Sequence, residues 1–431
     1  MLGCRKNTPT FLFYILKYHI HESSPPIVSI KKGGIVHMKN QLYCINDLIN
    51  LKGVFIKKII NNENSVHIYI ETKAKEHICP CCGTITSRVH DYRTQKIKDI
   101  PIHFKDCFLF LRKRRYSCPN CNKRFMEHYD FLARYQQRTV RLSFLIVNLL
   151  RNNVSVKHIS EETNVSCSTI FRLLDTLNYC IKPLGDTIAI DEFKGNASNN
   201  KYQCILVNPD KHCILDILPD RTNSHLSSYF TDIKRSERYK VKYFICDMWQ
   251  PYVDIAKNYF PNAKIIIDKY HFRRQLTWAI DRIRKRLQKT MPTNLRKYYK
   301  RSKTIIHKPY NSLSKEDKER CDLMLLYNDD LRTSHQLKEW FDSFKHEKKY
   351  SVIRKSFHDW IKNAESCGIP ELEDVAATYR RWAKGILNAY KYNLSNGVTE
   401  GFNNKIKVLK RTSYGIRNFK HLRTRILHLS N

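Results

Sequence analysis

Residues 187–193 read Thr-Ile-Ala-Ile-Asp-Glu-Phe, an apolar run that leads directly into an acidic residue, Asp191. Residues 243–247 repeat this arrangement as Tyr-Phe-Ile-Cys-Asp and end on Asp247. Short apolar runs of this kind are typical of buried strands. Acids that follow neighbouring strands can face each other at one edge of a sheet. The two stretches therefore predict an α/β unit with a pair of facing carboxylates.

A third acid would complete a cage for divalent metal ions, since Mg²⁺ or Mn²⁺ prefers hard oxygen ligands. Glu400 is the candidate, because it follows Gly-Val-Thr and opens a predicted helix. Most single acids are solvated surface groups, and Glu192 and Asp254 are alternatives of that kind. The predicted helix also carries basic residues that we expect to contact DNA phosphates: Lys405, Lys407, Lys410 and Arg411.

The chain around the two acids alternates strand and helix patterns before it becomes purely helical. Further strand candidates lie at residues 202–207, 212–218 and 264–267, and a helix pattern spans residues 226–233. Residues 272–390 lack strand signals and carry helical patterns that are rich in basic and aromatic residues. We therefore expect a helical insertion after the strand-rich block.

Upstream of the acids, residues 139–178 predict helices that include a helix-turn-helix. The apolar positions that would pack the helix pair are Val156, Ile159, Val165, Ile170, Leu173 and Leu174. Ser166 is a plausible N-cap of the second helix. The outward residues expected to contact DNA are Ser168, Thr169 and Arg172. A helix pair in a plain bundle is the alternative interpretation.

Two CxxC pairs occur nearer the start of the chain, and such pairs present thiolates for a tetrahedral zinc ion. The predicted zinc ligands are Cys79, Cys82, Cys118 and Cys121. Cys81 is a spare thiol that could compete with Cys82, and four structural thiols without metal are the alternative. A basic stretch just before the second pair is expected to touch DNA phosphate through Arg112, Arg114 and Arg115.

The composition favours a nucleic-acid partner. The chain has 77 Lys and Arg residues against 40 Asp and Glu residues, which gives a formal net charge of +37 and an attractive surface for polyanions. Coding bias towards Lys explains part of this charge, but residues 405–431 hold eight basic residues and no acid. The 15 cysteines are mostly scattered, which favours a reducing cytosol over a disulfide framework. The apolar run at residues 11–16 is too short to span a membrane.

These patterns predict six segments. Residues 1–37 are an atypical leader or disordered segment, and Met38 is a hypothetical start of translation. A zinc-binding module (38–130) and a helix-turn-helix domain (139–178) follow. The catalytic domain is split into residues 185–271 and 391–431 by the helical insertion at residues 272–390.

The order of the motifs resembles that of DDE transposases of bacterial insertion sequences, and more narrowly of the ISL3 family. The zinc pairs and the helix-turn-helix are followed by IDEF (190–193), CDMWQPY (246–252), DKYH (268–271) and NGVTEGFNNKIKVLKRTSYGIRNF (396–419). The resemblance covers roughly residues 40–431. It implies a ribonuclease-H-like catalytic core with an all-helical insertion, and it places Asp191, Asp247 and Glu400 at the triad positions. Asp268 and His271 match an accessory motif.

The resemblance implies a transposase that binds the terminal inverted repeats of its element, cuts DNA with Mg²⁺ or Mn²⁺, and joins the freed 3′-hydroxyl to target DNA. Such an enzyme would act as a homo-oligomer on double-stranded DNA, near the nucleoid in a bacterial cytoplasm. A DNA-binding regulator without catalysis, or a decayed transposase, is the alternative function. A simple nuclease is a third possibility.

Overall fold

The computed structural model describes residues 49–430, apart from residues 196, 198–200 and 302. The atypical segment 1–37, the hypothetical start at Met38 and the first part of the predicted zinc module lie outside the described residues. Among the helices of the described residues, none combines the length and the apolar composition that crossing a bilayer requires.

The first part of the described chain is a five-stranded sheet with a small hairpin beside it. Its strands are β1 (Val54–Asn61), β2 (Ser65–Thr72), β5 (Val89–Ile102), β6 (Lys105–Ser117) and β7 (Arg124–Met126). The hairpin consists of β3 (His77–Ile78) and β4 (Ile85–Thr86). The sheet has the order β1-β2-β6-β5, with β7 paired to β6. One face of this sheet is buried against a core that includes Ile68, Ile97 and Leu109.

Three short helices follow the first sheet and share an apolar core. They are α1 (Val140–Leu149), α2 (Val156–Thr163) and α3 (Cys167–Thr176). Ser155 caps the start of helix α2, and Asn164 ends the helix. The left-handed backbone of Asn164, with a φ of 48°, turns the chain sharply. The predicted cap Ser166 does precede α3, but its hydroxyl forms no bond to the helix backbone. It contacts the hydroxyl of Thr169 instead.

The second sheet contains both stretches quoted at the outset. Its strands are β8 (Thr187–Lys194), β9 (Tyr202–Asn208), β10 (Cys213–Leu218), β11 (Tyr243–Cys246) and β12 (Lys264–Ile267). Their order is β10-β9-β8-β11-β12. Strands β8, β11 and β12 are parallel, whereas β9 and β10 pair antiparallel. The apolar strands are buried because helices cover both faces of the sheet.

The remaining described elements are helical. Between β10 and β12 lie α4 (Asn223–Asp232), α5 (Arg235–Arg238) and α6 (Gln250–Tyr259). After β12 follow α7 (Lys269–Gln288), α8 (Thr293–Arg301), α9 (Lys303–His307), a 3₁₀ turn (Tyr310–Ser312), α10 (Lys315–Tyr327), α11 (Asp329–Ser343), α12 (Tyr350–Glu365), α13 (Pro370–Lys391), α14 (Gly397–Thr412) and α15 (Phe419–Leu429). Throughout the described part of residues 272–390, every regular element is helical, as the sequence predicts.

The last helix, α15, connects the second sheet with the three-helix unit. Arg425, only 1% exposed, donates hydrogen bonds to the carbonyls of Asn152 and Val154 in the turn between α1 and α2. Arg423 donates to Asp216 of β10 over 2.6 Å. The basic end of the chain therefore contributes to the protein interior as well as to its surface.

Helix α13 packs closely against β12, next to the predicted site. Gly385 makes this approach possible, since a Cβ atom there would lie 2.6 Å from Ile267 Cγ1. Gly401 in α14 has no atom within 4 Å of the same position. The surroundings of Gly401 therefore tolerate a methyl group, whereas those of Gly385 do not.

We predict that Gly385→Ala lowers the melting temperature, because overpacking typically costs about 1–3 kcal/mol and outweighs the gain in helix propensity. Gly401→Ala is the matched control and should melt at or above the wild-type temperature. Adding Ile267→Ala to Gly385→Ala should cost less than the sum of the two single changes. Thermal melting of the four variants tests this, and a Gly385→Ala protein as stable as the control would contradict it.

Candidate active site

The strand register brings three acids to one edge of the second sheet. Ile245 of β11 pairs with Ala189 of β8, so the same register continued by two residues sets Asp247 beside Asp191. Cys246 pairs with Ile267 of β12, which sets Asp268 on the other side of Asp247. Asp191 lies within β8, whereas the other two acids follow the ends of their strands.

Asp191 is held from two sides. Its Oδ1 accepts a hydrogen bond from the Glu192 amide over 2.7 Å, and its Oδ2 accepts one from Asn403 Nδ2 over 2.8 Å. Burial, and then the negative charge of Asp247, raise the pKa of Asp191 to about 7. Two carboxylates at this position therefore repel each other strongly, and a cation between them would relieve the repulsion.

His271 and Arg274 lie beside Asp247. His271 Nε2 is 2.9 Å from Asp247 Oδ1. Arg274 Nη2 lies 3.2 Å from His271 Nδ1, and it can only donate there. Burial by itself lowers the pKa of His271. The contact with Asp247 and the negative charge of that acid outweigh burial and raise this pKa above its ordinary value. His271 and Asp247 therefore stabilise each other electrostatically.

The acidic edge fits a hard divalent cation. One ligand atom from each of Asp191, Asp247 and His271 lies within 4.8 Å of the others. The contact with His271 is not aligned as a hydrogen bond, so Asp247 Oδ1 is buried without a hydrogen-bond partner in the described part of the chain. Such an atom needs a cation or water, and carboxylate oxygens are the ligands that Mg²⁺ and Mn²⁺ prefer.

Asp268 anchors the helix that carries the third predicted acid. Its Oδ1 accepts a hydrogen bond from the Asn396 amide over 3.0 Å, directly before α14. Burial raises the pKa of Asp268. Glu400 lies in the first turn of α14 and lines a cleft of about 540 Å³ together with Asp191 and Asp247. Its exposed carboxylate is not in the cluster of ligand atoms found among the described residues.

The two alternative acids are engaged in other contacts. Glu192 lines the cleft, but Arg221 pairs with its carboxylate and neutralises it. Asp254 lies on α6, where its carboxylate accepts a hydrogen bond from Gln250 over 2.7 Å, and it does not line the cleft.

Two residues of the site were not singled out from the sequence. Asn403 contacts Asp191, and Arg274 contacts His271. Each lies three positions after a predicted site residue in a helix, Asn403 after Glu400 and Arg274 after His271. Residues at this spacing share a helix face, so helical periodicity could have identified both.

The predicted basic contacts on α14 differ in where they point. Lys407 and Lys410 line the cleft on the same helix face as Glu400. Lys405 and Arg411 are exposed outside it, and Lys405 lies 5.5 Å from the ring of Phe402. On α3, the predicted contacts Ser168 and Arg172 are exposed and Thr169 is half-buried, with Arg172 donating to the Thr169 hydroxyl.

One of the predicted phosphate contacts on the first sheet is wrong. Arg114 is 4% exposed and forms ion pairs with Glu71 and Glu127, so its charge is already neutralised inside the protein. Arg115 is paired with Asp91. Arg112 alone of the three keeps a side chain that is 52% exposed.

The four predicted zinc ligands come together in the structure. Cys79 Sγ lies 3.6 Å from Cys121 Sγ, and Cys82 Sγ lies 3.5 Å from Cys118 Sγ. All four sulfur atoms lie within 4.8 Å of one another. A tetrahedron with Zn–S bonds of about 2.3 Å requires sulfur atoms roughly 3.8 Å apart, so the cluster fits zinc. Cys81 lies outside the group.

Comparisons with known proteins agree with this geometry. An ISL3 family model of the DDE type, described as "Transposase", matches residues 188–426. A second model, described as "zinc-finger of transposase IS204/IS1001/IS1096/IS1165", matches residues 75–121, which include all four clustered cysteines. The Transposase for insertion sequence element IS1001 of Bordetella parapertussis is 26% identical over 82% of this chain and 88% of its own length.

A protein with a different name matches a shorter part of the chain. An ATP-dependent protease of Lactococcus lactis subsp. lactis is 35% identical over 98 residues, which are 22% of this chain and 30% of that protein. A match of this extent carries no conclusion about the activity of the whole chain.

We predict that the cluster binds one zinc ion per chain and that Cys79→Ser/Cys82→Ser abolishes this binding, because two thiolates cannot complete the tetrahedron. The double variant should also melt at a lower temperature, since metal binding contributes to folding. Cys81→Ser is the matched control and should retain full zinc. Metal analysis after purification without chelator measures both, and zinc at full stoichiometry in the double variant would disprove the assignment.

Proposed function

Because the chain belongs to the ISL3 family of DDE transposases, we propose that it binds the terminal inverted repeats of its insertion sequence and cuts and rejoins DNA strands at Asp191, Asp247 and Glu400. The observation that carries this proposal is the strand register, which sets Asp247 beside Asp191 at the edge of a cleft. The strand order, with three antiparallel strands followed by two parallel ones, supports a ribonuclease-H-like core.

The residues around the cleft have different roles in the proposed reaction. Bound Mg²⁺ or Mn²⁺ would activate a water or hydroxyl nucleophile and stabilise the leaving oxygen. Asn403 fixes the orientation of Asp191, and His271 lies against Asp247. Lys407 and Lys410 line the same cleft, where they can hold the phosphate backbone. Catalysis of this type depends mainly on positioning and charge neutralisation.

Glu400 would join the two aspartates when DNA and metal are bound. Its carboxylate is exposed on the wall of the cleft, and among the described contacts no hydrogen bond or ion pair restrains it. The helix itself is anchored beside the aspartates, by Asp268 at its start and by Asn403 about two turns later. A change of side-chain rotamer can therefore redirect the carboxylate without movement of the backbone.

The remaining parts of the chain would bind DNA. Helix α3 presents Ser168 and Arg172 to solvent, which suits the second helix of a helix-turn-helix in the major groove. The zinc module and the helical insertion would hold flanking DNA. We expect the protein to act as a homo-oligomer, because two element ends must be brought together before they are joined.

Two rival functions make different predictions. A regulator without catalysis would bind element ends but would keep its effects when Asp191 is replaced by Asn. A simple nuclease would cut DNA but would form no strand-transfer products. The close pair of half-buried carboxylates favours catalysis, since a protein that only binds DNA has no use for acids that repel phosphate.

We predict that Glu400→Gln lowers cleavage of a labelled element end by about 100-fold or more, because electrostatic groups at a reaction centre are typically worth this much. The change preserves size but removes the charge expected to hold metal. Binding of the element end should persist, since one acid that faces phosphate is lost. Cleavage is measured with Mg²⁺ or Mn²⁺.

Glu373→Gln is the matched control for this experiment, because it makes the same chemical change on α13, away from the residues that line the cleft. It should cleave at the wild-type rate. Near-normal cleavage by Glu400→Gln would remove Glu400 from the proposed triad, and equal loss in both variants would point to an effect on folding.

We predict different effects for the two classes of basic residue. Arg172→Ala should chiefly reduce the preference for the element end over random duplex, because groove contacts carry sequence information. Lys407→Ala should weaken binding to both duplexes equally, because phosphate contacts do not. Titrations of both duplexes at one salt concentration test this. Loss of affinity without change of preference in Arg172→Ala would mean that α3 is not the recognition helix.

A further inference from the structure

A second, larger groove lies outside the candidate active site. It has a volume of about 960 Å³ and runs between strands β5 and β6 of the first sheet and the three-helix unit. Five basic residues line it: Arg93, Lys96, Lys98, Lys113 and Arg138. No acidic residue lines the groove.

The basic residues of the groove lack the partners that neutralise their neighbours. Within the described residues, none of the five forms an ion pair, whereas Arg114 and Arg115 on the same β6 strand are both paired with acids. Burial lowers the pKa of Lys113 and Arg138, and the charge of Arg172 lowers that of Arg138 further. Positive charges concentrated in this way are stabilised by an anion that enters the groove.

Neutral contacts hold several of these side chains in place. Lys113 Nζ donates to Gln95 Oε1 over 3.0 Å, and Arg138 Nε donates to Ser143 Oγ over 3.0 Å. Lys98 donates to Asn164 in the turn before α3, which joins the sheet to the helix pair. Because these partners carry no charge, the groove is ordered but remains electrostatically positive.

The groove continues onto the helix that we propose reads DNA. Ser166 and Thr169, at the start of α3, belong to its lining, and the charge of Arg172 acts on Arg138. The exposed residues of α3 and the basic wall of the sheet therefore form one surface. A ligand seated on α3 would extend into the groove.

We propose that this groove binds the phosphate backbone of double-stranded DNA, directly beside the base pairs that α3 contacts. The inference rests on the proposed function and assigns part of its DNA binding to one defined surface beside α3. The helix would supply sequence reading and the sheet would supply sequence-independent affinity, since phosphate contacts fix register but carry no base information.

The contacts of the aromatic residues favour a duplex over a single strand. Unpaired bases bind to open aromatic faces, but Lys96 Nζ lies over the ring of Phe108 at 3.9 Å. Tyr69 and Phe110 stack on each other with centroids 4.8 Å apart. Phe108, which lines the groove, and the two neighbouring rings are already in contact with protein groups, whereas the groove cations have no acidic partner in the described part of the chain.

The test is the salt dependence of binding by Arg93→Gln/Lys96→Gln. Lys98 stays unchanged because it holds Asn164. Each lost phosphate contact should reduce the slope of log K against log salt concentration by about 0.9, so the expected reduction is about 1.8. If the affinities converge at 1 M salt, that slope corresponds to roughly 60-fold weaker binding at 0.1 M. The probes are a duplex with the terminal sequence that flanks this gene and a random duplex of equal length.

Two matched variants separate the groove from other effects. Lys52→Gln/Lys73→Gln removes two exposed charges from another cleft of the same module, which also contains Glu127 and Asp130, and should keep the wild-type slope. Arg93→Lys/Lys96→Arg preserves the charges of the groove and should also keep that slope. Preference for the terminal duplex over the random one should be the same in all variants.

The outcomes are distinct. A wild-type slope for Arg93→Gln/Lys96→Gln would overturn the groove proposal. If this variant still binds and cleaves element ends, the proposed function remains intact. One strand of the terminal duplex serves as a third probe, and loss of binding confined to that single strand would overturn the proposal in favour of base stacking. Equal loss in the variant that preserves charge would show a structural role and would also overturn it. Failure of the wild-type chain to bind any duplex would overturn the proposed function together with this one.

Discussion

The parallel register of β8, β11 and β12 is the constraint on which the candidate site depends. It aligns Asp191, Asp247 and Asp268 across three adjacent strands at one edge of the sheet. Carboxylates this close repel one another, and burial together with this repulsion raises the pKa of Asp191. The surrounding protein compensates with Asn403 and His271, which place an amide and an imidazole against two of these acids. A bound cation would complete the compensation.

The same edge also organises the end of the chain. Asp268 holds the backbone at the start of α14, and Asn403 holds that helix about two turns later. Helix α15 then crosses β10 and inserts Arg425 into the turn between α1 and α2. The acidic edge, the third candidate acid and the helices proposed to read DNA are thereby connected through two consecutive helices, so their relative placement is determined by packing.

The role of each basic residue depends on whether it forms an ion pair inside the protein, more than on the net charge of the chain. The chain carries a formal charge of +37, yet Arg114 and Arg284 are buried in ion pairs and Arg425 is buried against backbone carbonyls. These side chains contribute to the protein interior. The cations of the sheet groove and those of α14 lack acidic partners among the described residues. Only basic residues without an acidic partner are available to bind phosphate.

The sequence by itself was sufficient for features that are local or periodic. Apolar runs predicted the strands that carry Asp191 and Asp247, and the CxxC spacing predicted the four clustered cysteines. Only the tertiary structure decided that Arg114 is buried, that Arg274 contacts His271, and that a cationic groove joins the sheet to α3. These features depend on contacts between segments that are distant in sequence, because such contacts determine which side chains are buried and which form ion pairs.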